Sequence, residues 1–133
     1  MTQKDTSVPK TEASSKPSVL VVDDDKVELP LVSRHLEDSY AVTTAADGIE
    51  ALLNLGRTNF DAILLDVNMP KLDGFTLLET IRQKNIDTPI VFLTGQASRV
   101  AVLRSVKLGV ADYLIKPIKK ELLLSRLKKI LAR

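Results

Sequence analysis

Acidic residues follow two of the apolar runs in this chain, where their carboxylates can act as metal ligands or nucleophiles. The run at residues 62–65 ends in Asp66, and a second run at residues 18–22 ends in Asp23-Asp24-Asp25. Three adjacent acids repel one another, so a fold that gathers them needs a cation or a partner. A carboxylate at the rim of a sheet beside other acids can be a metal ligand or a nucleophile, and we expect Asp66 to be both.

Two further polar side chains stand at the ends of apolar runs. Thr94 closes the run at residues 89–93, and Lys116 follows the run at residues 111–115. The remaining run, residues 40–45, ends without a polar chemical group. A hydroxyl and an ammonium can both donate hydrogen bonds to an anion. Four of the five apolar runs therefore end in a group that can take part in chemistry.

The apolar runs are short and rich in β-branched residues, which is typical of buried strands. Each is followed by a helical pattern, and this alternation predicts a doubly wound α/β fold with a parallel sheet and right-handed crossovers. We expect a flavodoxin-like, five-stranded sheet of order 2-1-3-4-5 with five helices. Strand two is then an edge, and the four polar ends adjoin in one cleft. The predicted helices span residues 26–38, 47–55, 75–84, 98–108 and 119–131.

Local signals mark the starts of the first two helices. Asp25 followed by Glu28 resembles a capping box, and Pro30 predicts a local bend or a late helix start. Asp47 is expected to cap the second helix, which should stop at Gly56. The apolar residues of this helix that we expect to face inward are Ile49, Leu52 and Leu53.

Composition excludes several classes of protein. The 133 residues favour one domain, and the lack of cysteine excludes disulfides and thiolate metal sites. No apolar run approaches the roughly 20 residues of a bilayer span, and no secretory signal is visible, so we expect a cytoplasmic protein without membrane contact. Residues 1–17 are polar and without period, which predicts a disordered N-terminal tail ahead of a domain at residues 18–133.

The formal net charge of +2 is unevenly distributed along the chain. Residues 118–133 carry a net charge of +5 and residues 1–17 a net charge of +1, so the body between them carries −4. The basic C-terminal helix can be a solvated face or a contact for an anionic partner. Direct DNA binding by this chain is not expected, since no aromatic residues are interleaved with the basic ones.

Taken in order, these fragments resemble the receiver domain of bacterial two-component response regulators. The resemblance covers residues 18–133 without a large insertion. Each fragment alone is common, but the complete set at matching spacing is specific. The residues that carry it are Val22-Asp23-Asp24, Asp66-Val67-Asn68-Met69-Pro70, Asp73-Gly74, Thr94-Gly95, Tyr113 and Lys116-Pro117.

The resemblance implies a Mg²⁺ site in the acidic cleft. Asp24 and Asp66 would bind the metal through their side chains, Asp23 largely through water, and Asn68 through its backbone carbonyl. Oxygen-rich anionic pockets suit hard cations such as Mg²⁺. The alternative is that the acids of the first group merely cap the following helix.

The resemblance also implies a phosphorylation switch. Asp66 would take a phosphoryl group from a phosphohistidine on a sensor histidine kinase or phosphotransfer protein, with Lys116 as counter-charge and Thr94 as hydroxyl donor. Movement of Thr94 would admit the ring of Tyr113, although Tyr113 can also be a plain core residue. The bond between Lys116 and Pro117 is usually cis in the family, and Gly95 would keep the pocket open.

The output is expected to be a downstream protein partner. It would bind the face formed by the fourth helix, fifth strand and last helix, whose basic residues favour an acidic surface. This face lacks the mixture of charges that dimerising, DNA-binding relatives usually have. Two other functions stay open, a pseudo-receiver that never takes phosphate and a Mg²⁺-dependent phosphatase. The basic residues of the face are Arg99, Arg104, Lys107, Lys119 and Lys120.

Overall fold

The fold was examined in a computed structural model that describes residues 16–67, 69, 73–95, 103, 104 and 106–132. Its strands are β1 (Ser18–Val22), β2 (Ala41–Ala45), β3 (Ala62–Asp66), β4 (Ile90–Thr94) and β5 (Asp112–Ile115). Its bounded helices are α1 (Glu28–Leu36), α2 (Gly48–Arg57), α3 (Gly74–Gln83) and α4 (Lys120–Leu131). All five predicted strands are present, with ends within two residues of their expected positions.

The predicted fourth helix, residues 98–108, is described only in part. Residues 103, 104, 106 and 107 are helical, whereas residues 98–102 and 105 lie outside the described residues. The structure thus defines the bounds of four helices where five were expected. The tail predicted at residues 1–17 is described only at its last two residues, and the backbone carbonyl of Pro17 there accepts from the amide of Ala41 at 2.9 Å. Within the part of the chain that the structure describes, every helix is too short or too polar to cross a bilayer.

The five strands form one parallel sheet in the order β2-β1-β3-β4-β5, which confirms the predicted topology. β1 and β3 are adjacent, with Val22 opposite Leu65, so Asp66 lies one position beyond the last residue of β1. β4 and β5 follow on the same side, and Thr94 lies opposite Ile115. The carboxyl ends of four neighbouring strands therefore meet at one edge of the sheet.

Alternation along the strands divides the core into two layers. The layer under α2 and α3 contains Val22, Leu65 and Phe92, and the layer under α1 and α4 contains Val21 and Leu64. Side chains of successive strand residues point to opposite faces, so a strand covered by helices on both faces must be apolar throughout. This explains why β1, β3 and β4 are continuous apolar runs in the sequence.

Aspartate side chains fix the starts of α2 and α3. Asp47 accepts from the amide of Glu50 at 2.8 Å, and Asp73 accepts from the amide of Thr76 at 2.8 Å. Each bond satisfies one of the amides that a helix leaves unpaired at its N-terminus. The predicted cap at Asp47 is confirmed.

The predicted orientation of α2 was wrong for two residues. The side chains of Ile49 and Leu53 are 69% and 55% exposed, whereas the buried positions are Gly48, Ala51 and Leu55. These buried positions follow helical spacing, and Ile49 and Leu53 lie outside the stripe that they form. The helix also continues to Arg57, two residues beyond the predicted end at Leu55, so Gly56 does not stop it.

Gly74, the first residue of α3, packs against the end of β3. A Cβ atom at this position would lie 2.8 Å from the backbone oxygen of Asp66 and 2.8 Å from Cα of Val67. The amide of Gly74 also donates to the carbonyl of Val67 at 3.0 Å. Contacts this short involve backbone atoms that cannot rotate away, so only glycine fits.

We predict that Gly74→Ala lowers the free energy of unfolding by about 1–3 kcal/mol, the usual cost of overpacking. The added methyl group must push α3 away from the end of β3. Urea denaturation followed by circular dichroism measures this change.

Gly56→Ala is the matched control. Gly56 lies inside α2, and its Cβ would meet no atom within 4 Å. Alanine is favoured over glycine in helices by up to about 1 kcal/mol, so this variant should unfold at the same or a higher urea concentration. Equal unfolding midpoints for Gly74→Ala and the wild type would contradict the packing argument.

Candidate functional site

Three carboxylates converge where β1 and β3 end. One carboxylate oxygen from each of Asp23, Asp24 and Asp66 can be chosen so that all three lie within 4.8 Å of one another. Asp23 is fully buried and Asp66 is 4% exposed, whereas Asp24 lies on the surface. The structure therefore brings together the three acids that the sequence singled out, in a hollow that is buried at its base and open at its mouth.

The ammonium of Lys116 lies among these acids. Its Nζ atom is 3.0 Å from Oδ2 of Asp23 and 3.4 Å from Oδ1 of Asp66. A third carboxylate, Oε1 of Glu28, lies 3.5 Å away. Only 15% of the Lys116 side chain is exposed, so it is not a solvated surface lysine.

The charge on Lys116 is stabilised despite its burial. Burial alone would lower the pKa of the Lys116 ammonium, but the hydrogen bond and charge of Asp23, with the charges of Asp66 and Glu28, outweigh it and raise the pKa above its ordinary value. The group therefore remains a cation at neutral pH. It can serve as a permanent counter-charge and is a poor proton donor.

Asp25 has a different task from its two neighbours. Its Oδ1 atom accepts from the amides of Val27 at 2.8 Å and Glu28 at 3.0 Å, and these bonds lower the pKa of Asp25. The capping alternative therefore holds for Asp25. Asp23 uses Oδ1 for the amide of Asp25 at 3.0 Å and Oδ2 for Lys116.

The end of β4 closes another side of the hollow. Thr94 is 2% exposed, and its carbonyl accepts from the amide of Lys116 at 2.6 Å. This bond places the start of the Lys116 side chain beside β4. A Cβ atom at Gly95 would meet no atom within 4 Å, so there is open space next to Thr94. The bond between Lys116 and Pro117 is cis, as the resemblance implies.

Tyr113 lies on β5, two residues before Ile115 and so further from the hollow. It is partly buried, lies opposite Phe92 in the sheet and packs against the core layer under α2 and α3. The ring of Phe92 meets the ring of Phe75 edge to face, with centroids 5.2 Å apart, and the guanidinium of Arg104 lies 4.3 Å from the centroid of Phe75. These aromatic contacts connect β4 and α3 to the partly described 98–108 segment.

Asn68, predicted to offer its backbone carbonyl, lies outside the described residues. Glu28 was predicted as half of a capping box, but the amide of Asp25 donates to Asp23 instead, and the Glu28 carboxylate faces Lys116. The sequence signal for this placement was available, because a helix that starts just after β1 puts its first turn at the same edge of the sheet.

Comparison with known proteins identifies the family. The family model described as response regulator receiver domain matches residues 19–128. The transcriptional regulatory protein PrrA of Mycobacterium leprae is 42% identical over 120 residues, which is 90% of this chain and 52% of that protein. The chain thus spans about half the length of the curated relatives it matches.

Solved structures show the same fold. The chemotaxis protein CheY4 of Vibrio cholerae superimposes with a TM-score of 0.83 at 37% identity, covering 87% of this chain and 99% of that chain. A receiver domain described as BeF3-activated DrrB superimposes with a TM-score of 0.79 at 34% identity, covering 89% of this chain and 99% of that one. With the matching family model, these likenesses show that the chain belongs to the response regulator receiver domain family.

Proposed function

We propose that this receiver domain takes a phosphoryl group onto Asp66 and thereby changes its partner-binding surface. The observation that carries the proposal is the arrangement of Asp66 in one hollow with Asp23, Asp24 and the ammonium of Lys116. The donor would be a phosphohistidine on a sensor histidine kinase or phosphotransfer protein. This source fits the family, because receiver domains belong to two-component systems.

The donor set fits Mg²⁺. Three carboxylate oxygens lie close enough to share one ion, one of them on the open side of the hollow. Asp24 and Asp66 would bind the metal directly, Asp23 through water, and Asn68 through its backbone carbonyl. When bound, Mg²⁺ neutralises negative charge that develops on transferring phosphoryl oxygens.

The chemical step is an in-line displacement at phosphorus. A carboxylate oxygen of Asp66 forms a bond to phosphorus as the bond between phosphorus and the donor imidazole nitrogen breaks, and the electron pair leaves with the imidazole. The product is an acyl phosphate on Asp66. The Lys116 ammonium, now 3.4 Å from Asp66, would pair with the phosphoryl oxygens, and the Thr94 hydroxyl would donate to one of them.

The proposed switch follows from the added charge. A phosphoryl group brings about −1.5 to −2 charges and three acceptor oxygens to the hollow. Thr94 would turn toward it, and the ring of Tyr113 would follow into the space beside β4 and β5. Because Tyr113 lies opposite Phe92, this movement would reach the aromatic contacts that involve Arg104.

Turnover of an external phosphoester is not proposed. Such an enzyme needs a group that protonates the leaving oxygen. Among the described residues, Lys116 faces Asp66 with its ammonium, whose raised pKa keeps its proton bound at neutral pH. A pseudo-receiver would not require this complete set of acids, hydroxyl and ammonium. A signalling module that modifies itself therefore fits the geometry best.

We also propose an acidic protein partner for the face formed by the 98–108 segment, β5 and α4. Exposed apolar side chains there include Leu103, Val106, Ile115 and Leu122. Lys119 and Lys120 are exposed beside them, whereas Arg126 pairs with Asp112 at 2.8 Å and is locally balanced. Exposed apolar and basic side chains on these elements suit an amphipathic acidic surface better than they suit DNA.

We predict that Asp66→Asn abolishes labelling by acetyl phosphate in the presence of Mg²⁺. An amide oxygen is too weak a nucleophile to form the acyl phosphate, while the shape of the side chain is kept. A phosphate-affinity gel measures the labelled fraction. Asp38→Asn, on the surface between α1 and β2, makes the same change outside the hollow and should label as the wild type does. Full labelling of Asp66→Asn would exclude this residue as the acceptor.

We predict that Mg²⁺ shifts the backbone amide resonances of Asp23, Asp24 and Asp66 in nuclear magnetic resonance spectra. Residues at the amino ends of the strands should not respond. Asp24→Asn should weaken the apparent Mg²⁺ affinity at least tenfold, because a directly bound carboxylate is lost. An unchanged titration curve for Asp24→Asn would contradict the proposed metal site.

We predict that affinity for the downstream partner falls as NaCl concentration rises, since exposed charges are screened by salt. The double variant Lys119→Gln/Lys120→Gln should bind more weakly and with a smaller salt dependence. Lys128→Gln/Lys129→Gln, at the other end of α4, is the charge-matched control. Isothermal titration calorimetry of the phosphorylated chain with its isolated partner tests this, and an affinity independent of salt would refute an acidic partner surface.

A further inference from the structure

Glu28 lies beside the site, but the proposed phosphoryl transfer gives it no role. It lies in the first turn of α1, and its Oε1 atom is 3.5 Å from Nζ of Lys116. The same ammonium is 3.0 Å from Asp23 and 3.4 Å from Asp66. A lysine ammonium has three hydrogens to donate. Three carboxylates therefore surround a group that can make three hydrogen bonds.

The backbone around Glu28 leaves its carboxylate available for this contact. Asp25 accepts from the amides of Val27 and Glu28, so the start of α1 is already capped. The amide of Asp25, which a capping box would offer to Glu28, donates to Asp23 instead. The Glu28 side chain is therefore directed to Lys116 and does not form the hydrogen bond of a capping box.

Glu28 differs from the other two carboxylates in exposure. Its side chain is 24% exposed, whereas those of Asp23 and Asp66 are 0% and 5% exposed. Within the described residues, the one group of acids close enough to share a metal ion consists of Asp23, Asp24 and Asp66, without Glu28. Glu28 therefore acts on the hollow through Lys116, and it can exchange this contact for water at small cost.

We propose that Glu28 is a positioning residue that occupies the Lys116 ammonium until a phosphoryl group displaces it. This inference rests on the proposed function, in which Lys116 pairs with the phosphoryl oxygens. A new anion on Asp66 needs a hydrogen of the ammonium, and the most exposed of the three partners is the one that leaves. Glu28 thus competes with the phosphoryl group for the Lys116 ammonium and lowers the affinity of the site for that group.

The experiment measures the affinity of the full chain for beryllofluoride at saturating Mg²⁺ by isothermal titration calorimetry. Beryllofluoride binds a carboxylate in place of a phosphoryl group. Its affinity therefore measures how strongly the site binds such a group, without a chemical step. Glu28→Gln should tighten beryllofluoride binding about two- to fivefold, the range that a partly exposed ion pair is worth. Glu121→Gln removes the same charge from the first turn of α4 and should leave the affinity unchanged.

A second variant tests whether the effect of Glu28→Gln comes from the lost contact with Lys116 or only from the lost negative charge. Glu28→Asp keeps the charge and the favourable helix N-terminus but shortens the side chain by one methylene group, which withdraws it from Lys116. We expect its affinity to lie close to that of Glu28→Gln. Wild-type affinity in either Glu28 variant would overturn the proposal, once circular dichroism shows that the variant is folded.

Failure of the underlying function would look different. A wild-type chain that neither binds beryllofluoride nor takes phosphate from acetyl phosphate would contradict the role of Asp66 itself. A wild-type chain that does both, with Glu28 variants that behave identically to it, would refute only the role of Glu28.

Discussion

The ion pairs of Lys116 are the interaction on which the rest of the site depends. Removing a carboxylate from water costs several kcal/mol unless a cation and hydrogen bonds replace the water. Asp23 and Asp66 are almost completely buried, and the Lys116 ammonium lies within 3.4 Å of both. The raised pKa of Lys116 shows that the carboxylates outweigh the cost of its own burial. The acids and the lysine thus compensate for each other's cost of desolvation.

This mutual dependence explains why the topology matters. Lys116 is 93 residues from Asp23 in the chain, and only the parallel sheet brings them together. The strand order places β1, β3, β4 and β5 side by side, so their polar ends share one edge. β2, which ends without a polar chemical group, lies outside this set. The connection from β3 returns through Gly74, whose lack of a side chain lets α3 begin directly against the end of that strand.

Much of this could be predicted from the sequence because the relevant signals are local. A short apolar run that ends in an acid marks a strand and its exit, and the general rule for parallel sheets then places those exits together. The sequence was less informative about which face of a helix is buried and which side chains pair with one another. Ile49 and Leu53 were expected to be buried, but the buried side of α2 contains Gly48, Ala51 and Leu55, and two of these are small residues with a weak hydrophobic signal.

Glu28 illustrates the same limit within the site. A glutamate three residues after an aspartate at a helix start is consistent with a capping box, and local rules offer no reason to look further. Whether the carboxylate turns back to the backbone or outward to a lysine depends on which donors lie nearby. The deciding donor was Lys116, the residue after β5, and the competing amide of Asp25 was already bonded to Asp23. The start of α1 soon after β1 places Glu28 at the correct edge of the sheet, but contacts between residues far apart in the chain decided which partner its carboxylate takes.

The backbone around Lys116 limits how the proposed switch can work. The amide of Lys116 is bonded to the carbonyl of Thr94 at 2.6 Å, and the register of β4 and β5 continues directly into this bond. Moving the backbone of either residue would break the end of a buried ladder, where unpaired amides are costly. Side-chain movement is cheaper, because the ammonium can exchange one acceptor for another while its backbone stays in place. A phosphoryl group would therefore act through the Thr94 hydroxyl and the Lys116 ammonium, with the strand ends serving as the fixed frame.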